Sequence, residues 1–575
     1  MDFAIQIPCA NIQHDIEGKQ SECPNRASNA CSSCFLVQYC SKYCQRAHWP
    51  LHKLDCKSDL IKVSWKPQWE LEKRKPAFVA GGGASLALPS TYGARKYLWG
   101  NMPALDVLKC QQNEGAQLPD VLRLLFAASG DIRNIVKTLA ELPTPFTGHC
   151  DIMVNDRDLD IVARNVIMLL VLLHFKAQEA VPIVLHLWYS ALIPEQMYLS
   201  LRDNILPLLQ ETCIKIQAKP LKSLQSKKWE YGTRSLRVVL RKEQWDNLPS
   251  YLEVPPGLSA AQAQQTRRAT MLAPVRLDYM ERAMYTRPPS WRVCMTRFRE
   301  DGILMPFGSS RAEFDIPNPT IYRNKDFWPM KDSADPLDGW AMEEMILKAP
   351  PARNDLYGSL YLHVQEILHR FHQRIENLDV GFQLFCTDAL GLPMTLKQCG
   401  MGQHSFDRIE VSNITDNCYL GPNATLTTFS PLLKLPTQNP HATLIALFLN
   451  AIDEISTVAD QFADITSEKS KLERYLTMNQ QLLLRRHEYA FYAELLAFMD
   501  ARVMFRDFDK LFQRFLEKWQ WKEQGTMLGM EMKKSNTVVR EWPLRLGENA
   551  SKKEFELLHA SAHLGLERYV EWRVV

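Results

Sequence analysis

Apolar and polar positions alternate in two periods along this chain. The run Leu122 to Ala128 is short and apolar and ends in Ser129, Gly130 and Asp131. The segment after it, IRNIVKTLAEL, has helical spacing, so a strand, a polar turn and a helix are predicted. Cys150 to Val154, ending in Asn155 and Asp156 before a helical stretch from Leu159 to Phe175, repeats the unit. Strand, turn and helix in succession begin a parallel sheet, whose ligands sit at the carboxyl ends of its strands.

The same pattern resumes later. Leu356 to Leu378 reads as a long helix, Phe382 to Cys386 and Phe406 to Val411 as strands, and NPHATLIAL as an apolar helix preceded by His441 in a capping or packing role. Residues 179–355 read as an insertion between these halves. VPIVLHLWYSALI and LRDNILPLLQETC are amphipathic segments within it, and RPPSWRVCMTRFREDGILMPFGSSRAEFDIPNPT is ordered loop and short strands. From Ile455 onward the pattern is helical, with a Met and Phe stripe read as core. Upstream, KYLWGNMPALDVLKC is the first folded element, with Trp99, Ala104, Leu105 and Leu108 as its apolar face. Gly81, Gly82 and Gly83 open a flexible tether.

Before the tether, periodicity gives way to chemistry. Seven of the fourteen cysteines lie between Cys9 and Cys56: Cys9, Cys23, Cys31, Cys34, Cys40, Cys44 and Cys56, joined by His52. Cys31 and Cys34 form a CxxC knuckle, which turns two sulfurs around one ion. Cys40 and Cys44, like His52 and Cys56, are four apart and share a face of a short helix. Eight soft ligands make two closed tetrahedral zinc sites. His48 rivals His52, and Pro50 argues against it by redirecting the helix. The chain opens MDFAIQIPCA without a basic, apolar leader, which predicts a reducing compartment, cytoplasmic and/or nuclear, and metal rather than disulfides.

The run CSSCFLVQYCSKYCQRAHWPLHKLDC resembles a MYND-type zinc finger. The resemblance implies an interleaved cross-brace, with Cys9, Cys23, Cys40 and Cys44 on one zinc ion and Cys31, Cys34, His52 and Cys56 on the other. Thirteen residues separate Cys9 from Cys23 where the family has a CxxC, so His14 is the alternative to Cys9. Such fingers dock short proline-containing peptides, and Gln45 and Trp49 stand at the positions that line the docking surface. Trp49 also has a plain role available, packing the small core of the finger.

The segments WGNMPALDVL, LLFAASGDIRNIVKTLA and DIMVNDRDLDIVARNVIMLLVL are similar to a domain of unknown function joined to MYND fingers in fungal proteins. The same domain occurs in the third dynein axonemal assembly factor. The resemblance implies a doubly wound, mostly parallel sheet like that of the class I methyltransferases. A working site for their donor, S-adenosylmethionine, has several glycines after its first strand and an acid after its second. Here Gly130, Asp131 and Asp156 are the candidates for cofactor binding, and Ser412, Asn413 and Asp416 occupy the catalytic region. Structural turn chemistry is the reading taken for all six.

At 575 residues the chain exceeds one core. Hydrophobic content of 46% and charged content of 23% are those of an ordinary globular protein, and a formal net charge of +3 supplies no global field for nucleic acid or membrane. A basic stretch from Lys215 to Lys242, with Trp229 and Tyr231 interleaved, is read as a solvated helix face in preference to an RNA surface. His363, His369 and His372, with Glu366, lack a companion ligand set and are read as helix histidines.

The expected protein is a finger over residues 1–57, a helix and linker over 58–95, and an α/β domain in two halves, 96–178 and 356–455. The 179–355 insertion separates the halves, and a helical region covers 456–575. Its expected role is that of a zinc-binding adaptor for proteins with proline-containing motifs. A methyltransferase that recruits its protein substrate through the finger is the alternative, and an RNA-associated factor the next.

Overall fold

A computed structural model of the chain describes residues 7–14, 20–80, 91–115, 118–346, 348, 351–457, 459–460, 465–476, 491–539, 546, 549–561, 563 and 565–575. The glycine tether at 81–83 and part of the Met and Phe stripe lie outside these residues.

The N-terminal region is a small finger. Strands β1 (Pro8–His14) and β2 (Gln20–Arg26) pair antiparallel, as do β3 (Asn29–Ala30) and β4 (Gln38–Tyr39), and helix α1 (Lys42–Cys56) follows. Ser41 caps α1, its hydroxyl accepting from the Cys44 amide at 3.2 Å. Pro50 lies inside this helix, which runs on to Cys56. The expected redirection at Pro50 does not occur, because the helix surface there is exposed and loses only one carbonyl partner to water.

A mixed α/β domain follows. Its chain runs β5 (Val121–Phe126), α2 (Arg133–Glu141), β6 (His149–Asp156), α3 (Leu159–His174), α4 (Ala177–Tyr189), β7 (Leu192–Pro194), β8 (Leu224–Tyr231) and β9 (Arg234–Arg241). It continues through α5 (Arg292–Asp301), β10 (Phe314–Pro317), α6 (Leu356–Glu376), β11 (Asp379–Cys386), β12 (Arg408–Glu410), β13 (Thr443–Phe448), β14 (Met530–Met532) and β15 (Arg568–Val574). Among the described residues nine strands form one sheet in the order β14-β15-β13-β12-β5-β6-β11-β9-β8. From β13 to β9 all neighbours are parallel, while β8 and β15 run antiparallel to the strands beside them.

Side-chain alternation gives this sheet two cores. Leu122, Leu124 and Phe126 of β5 join Cys150, Ile152 and Val154 of β6 under α2, α3, α4 and α6, whereas Leu125, Ala127 and Met153 face the other way. On that second face Leu444, Ala446 and Phe448 of β13 pack with residues of the helices Leu392–Gln398, Pro422–Phe429 and Asp509–Lys518.

Five expected elements differ. Thr443–Phe448, expected as a helix, is a strand buried at every position. A strand covered on both faces has a continuous apolar run, which periodicity cannot separate from a short buried helix. The basic stretch expected as a helix face is the hairpin β8–β9, turned at Gly232 (φ 67°) and Thr233. It brings residues of the expected insertion into the main sheet. Arg292–Asp301, expected as loop, is a helix that buries Val293, Cys294, Met295 and Phe298 and ends at Gly302 (φ 67°). The largely helical C-terminal region also returns β14 and β15 to the sheet edge. The segment KYLWGNMPALDVLKC forms neither helix nor strand, although Trp99 and Leu108 are buried in the core.

No helix among the described residues is long and apolar enough to cross a membrane.

Candidate functional site

Two groups of four ligands assemble in the finger: Cys9, Cys23, Cys40 and Cys44, and Cys31, Cys34, His52 and Cys56. Within each group all ligand atoms lie within 4.8 Å of one another. A tetrahedral ion with metal–sulfur bonds of about 2.3 Å separates its sulfurs by about 3.8 Å. The observed separations are 3.8 Å for Cys23–Cys40, 3.9 Å for Cys23–Cys44, 3.5 Å for Cys40–Cys44 and 3.8 Å for Cys31–Cys56. Disulfides, at about 2.05 Å, are excluded by the same distances. The residues therefore fit two zinc ions, which would close the finger's fold rather than take part in a reaction.

The register of β1 and β2 explains how Cys9 joins a group thirteen residues away. Cys9 lies directly opposite Cys23 in the hairpin, so antiparallel pairing brings the two residues together without a CxxC turn. His14 sits at the other end of β1, opposite Gln20. In the second group His52 is 1% exposed, and burial, with the charge of His48 adding, holds its imidazole down to about 4. A neutral ring with its Nε2 3.3 Å from the Cys34 sulfur is a metal ligand by default. His48 instead shares a hydrogen bond with the Tyr39 hydroxyl at 3.0 Å and stacks on His52. Backbone amides of Cys40 and Leu36 donate to the sulfurs of Cys9 and Cys34 and orient them.

The finger is packed into the α/β domain. Gly308 lies where a Cβ would come 2.5 Å from that of Ala10. Arg353 covers the ring of Phe35 at 4.0 Å, and the Asn354 side chain donates to the Cys34 carbonyl at 2.8 Å. None of these partners is marked by local sequence pattern. Gln45 is half-buried on α1, and Trp49, 37% exposed, sets its ring edge-on to His52 with the Lys57 ammonium 5.9 Å above it.

At the carboxyl edge of the sheet, β5 is followed by β6 on one side and has β12 on the other, which makes their junction the switch point of the fold. The groups there bond to one another. Asp131, 5% exposed, accepts from the Gly100 amide at 2.7 Å, the Trp188 indole at 3.2 Å and the Arg133 guanidinium at 2.7 Å. The Gly130 amide donates to Asp156 at 3.1 Å, and Asp156 also accepts from the Asp158 amide. Asp416 accepts from the Leu449 and Asn450 amides and from Asn413, while the Ser412 amide donates to Glu410 at 2.7 Å. Glu410, which the sequence did not mark, is 4% exposed, and its second carboxylate oxygen has no partner among the described residues. Burial pushes its carboxyl up to about 7 against the pull of Arg133.

His363 packs edge-on against Trp340, and His372 bonds the Phe175 carbonyl. The two finger groups are the metal-binding clusters found among the described residues.

Comparison with known proteins agrees with the finger's geometry. A family model described as MYND finger matches residues 21–56, and one described as a domain of unknown function (DUF4470) matches residues 98–193. The SET domain and MYND-type zinc finger protein 6 of Schizosaccharomyces pombe is 57% identical over 28 residues, 5% of this chain and 6% of that protein. The chain thus aligns with a small fraction of that relative's length. No solved structure matches. The N-terminal region is a MYND-type zinc finger domain, and zinc binding with a role in protein interaction is the class that fold and site define.

Proposed function

We propose that this protein is an adaptor whose MYND finger docks short proline-containing peptides at Gln45 and Trp49, on a methyltransferase-like scaffold that does not transfer methyl groups. The observation that carries the reading is the indole of Trp49, partly open to solvent beside Gln45 on a helix anchored by both metal groups. An indole offers an apolar platform with a polar edge, which suits a small interface. The scaffold half of the reading is supported at the switch point, where Asp131, Gly130 and Asp156 spend their hydrogen bonds on the chain itself. Reduced thiols at both metal groups suit the cytoplasm or nucleus.

A second reading, an S-adenosylmethionine-dependent methyltransferase, draws support from strand order. Numbering β5, β6, β11, β12 and β13 in sequence gives 3-2-1-4-5 across the sheet, the order of doubly wound nucleotide-binding folds.

Calorimetric titration of the zinc-loaded full chain separates the two. The adaptor gives no heat with S-adenosylmethionine at millimolar concentration. It binds a proline-containing peptide with an affinity that falls at least tenfold in Trp49→Ala at unchanged zinc content. Saturable donor binding in the roughly micromolar range, abolished by Asp131→Ala, would establish the enzyme instead.

A further inference from the structure

Helix α1 carries a second face that neither the metal groups nor the Trp49 strip uses. Tyr43, Leu51 and Leu54 are 75%, 52% and 71% exposed, and Ala47 and Pro50 between them are exposed as well. These positions follow i, i+4, i+7, i+8 and i+11, so they form one continuous stripe about 16 Å long on the helix surface. Single exposed apolar residues are common on protein surfaces, but an aligned row along three turns is the signature of a contact surface.

Charge defines what the stripe faces. Lys42, Arg46, Lys53 and Lys57 are all exposed and run along one flank of it, between the stripe and Trp49. Lys57 lies over the Trp49 ring, and Lys42, Arg46 and Lys53 have no carboxylate partner among the described residues. The other flank holds the half-buried Asp55. An anionic membrane surface favours cations on both sides of an apolar face. A single cationic row fits a rod-shaped partner with one complementary row of acids.

We propose that this face of α1 docks an amphipathic partner helix, with the partner's apolar residues on Tyr43, Leu51 and Leu54 and an acidic row along Lys42, Arg46 and Lys53. The site is distinct from the proline-peptide strip and does not rest on it.

The test uses the zinc-loaded full chain and a labelled synthetic peptide of Leu and Glu, with Leu at helical spacing and Glu along one flank, read by fluorescence anisotropy. Saturable binding is expected. It should weaken at least tenfold in Leu51→Ser with Leu54→Ser, at least tenfold in Arg46→Glu with Lys53→Glu, and steadily with added salt. Trp49→Ala should leave it unchanged, which separates failure here from failure of the peptide-docking function. All four altered side chains are exposed, and equal zinc content and melting temperature check their folding. Equal binding of a scrambled peptide of the same composition, or no effect of either double variant, would overturn the proposal. So would a monomer–dimer equilibrium in sedimentation that Leu51→Ser with Leu54→Ser abolishes, which would make the occupant a second copy. Binding to phosphatidylserine vesicles without peptide binding would make it a membrane surface.

Discussion

Asn354 reaches across 320 residues of sequence to donate its side-chain amide to the carbonyl oxygen of Cys34, at 2.8 Å. Cys34 supplies a sulfur to the second metal group, and Asp355, next to Asn354, caps α6, accepting from the Gly358 amide at 2.8 Å. The backbone amide of Asn354 also bonds the Phe35 carbonyl at 3.1 Å. One short segment thus joins the zinc knuckle to the longest helix of the α/β domain, and finger and domain share one buried core.

Asn354→Leu removes the side-chain bond and leaves a carbonyl of the knuckle without its partner. The expected loss is about 1 to 2 kcal/mol. Urea denaturation measures it, and zinc transfer to a chromogenic chelator should become faster in the same variant.

Arg408 is fully buried and grips Glu114 with two bonds, at 2.7 and 2.9 Å. Arg408→Met alone strands a buried carboxylate and should cost about 3 to 5 kcal/mol, whereas Arg408→Met with Glu114→Leu should recover only part of that, because Arg408 also donates to the carbonyls of Val107, Asp407, Leu108 and His441. Equilibrium unfolding of the two variants gives the comparison.

Glu410 predicts a pH dependence of defined sign. Its folded value, about 7, lies above the ordinary carboxyl value, so the folded state holds the proton more tightly than the unfolded chain. The stabilisation is complete at acid pH and is lost as pH rises through about 7, by on the order of 3 kcal/mol. Glu410→Gln should lack that component of the pH slope in denaturation measured from pH 5 to 8.

Lys227 and Lys228 lie on β8, which among the described residues has a strand partner on one side only. Lysines on an edge strand discourage pairing with a second chain. Replacing both with Thr should promote self-association, seen as a rising sedimentation coefficient with concentration.

The metal ligands were legible because thiolate chemistry is carried by residue type and spacing, and eight such ligands in a short stretch have no other common use. The units β5-α2 and β6-α3 were legible because their periods differ and polar turns separate them. Thr443–Phe448 was not, since burial on both faces erases the period that distinguishes strand from helix. Cys9 was uncertain for a different reason: only the β1–β2 register shows that it returns opposite Cys23. The Asn354–Cys34 bond depends on tertiary packing alone. The exposed stripe on α1 was hidden because apolar residues at helical spacing read as core until a structure shows what covers them.

Hydrogen exchange read by mass spectrometry, on the full chain with zinc and after chelation, tests the central claim that finger and α/β domain form one zinc-dependent fold. Removal of zinc is expected to raise exchange in residues 31–56 and also in 292–311 and 353–376, two segments that touch the finger at Gly308 and at Arg353 and Asn354, and to lower the melting temperature of the whole chain. Loss of protection confined to residues 31–56, with the melting temperature unchanged, would contradict the account and make the finger a separate module.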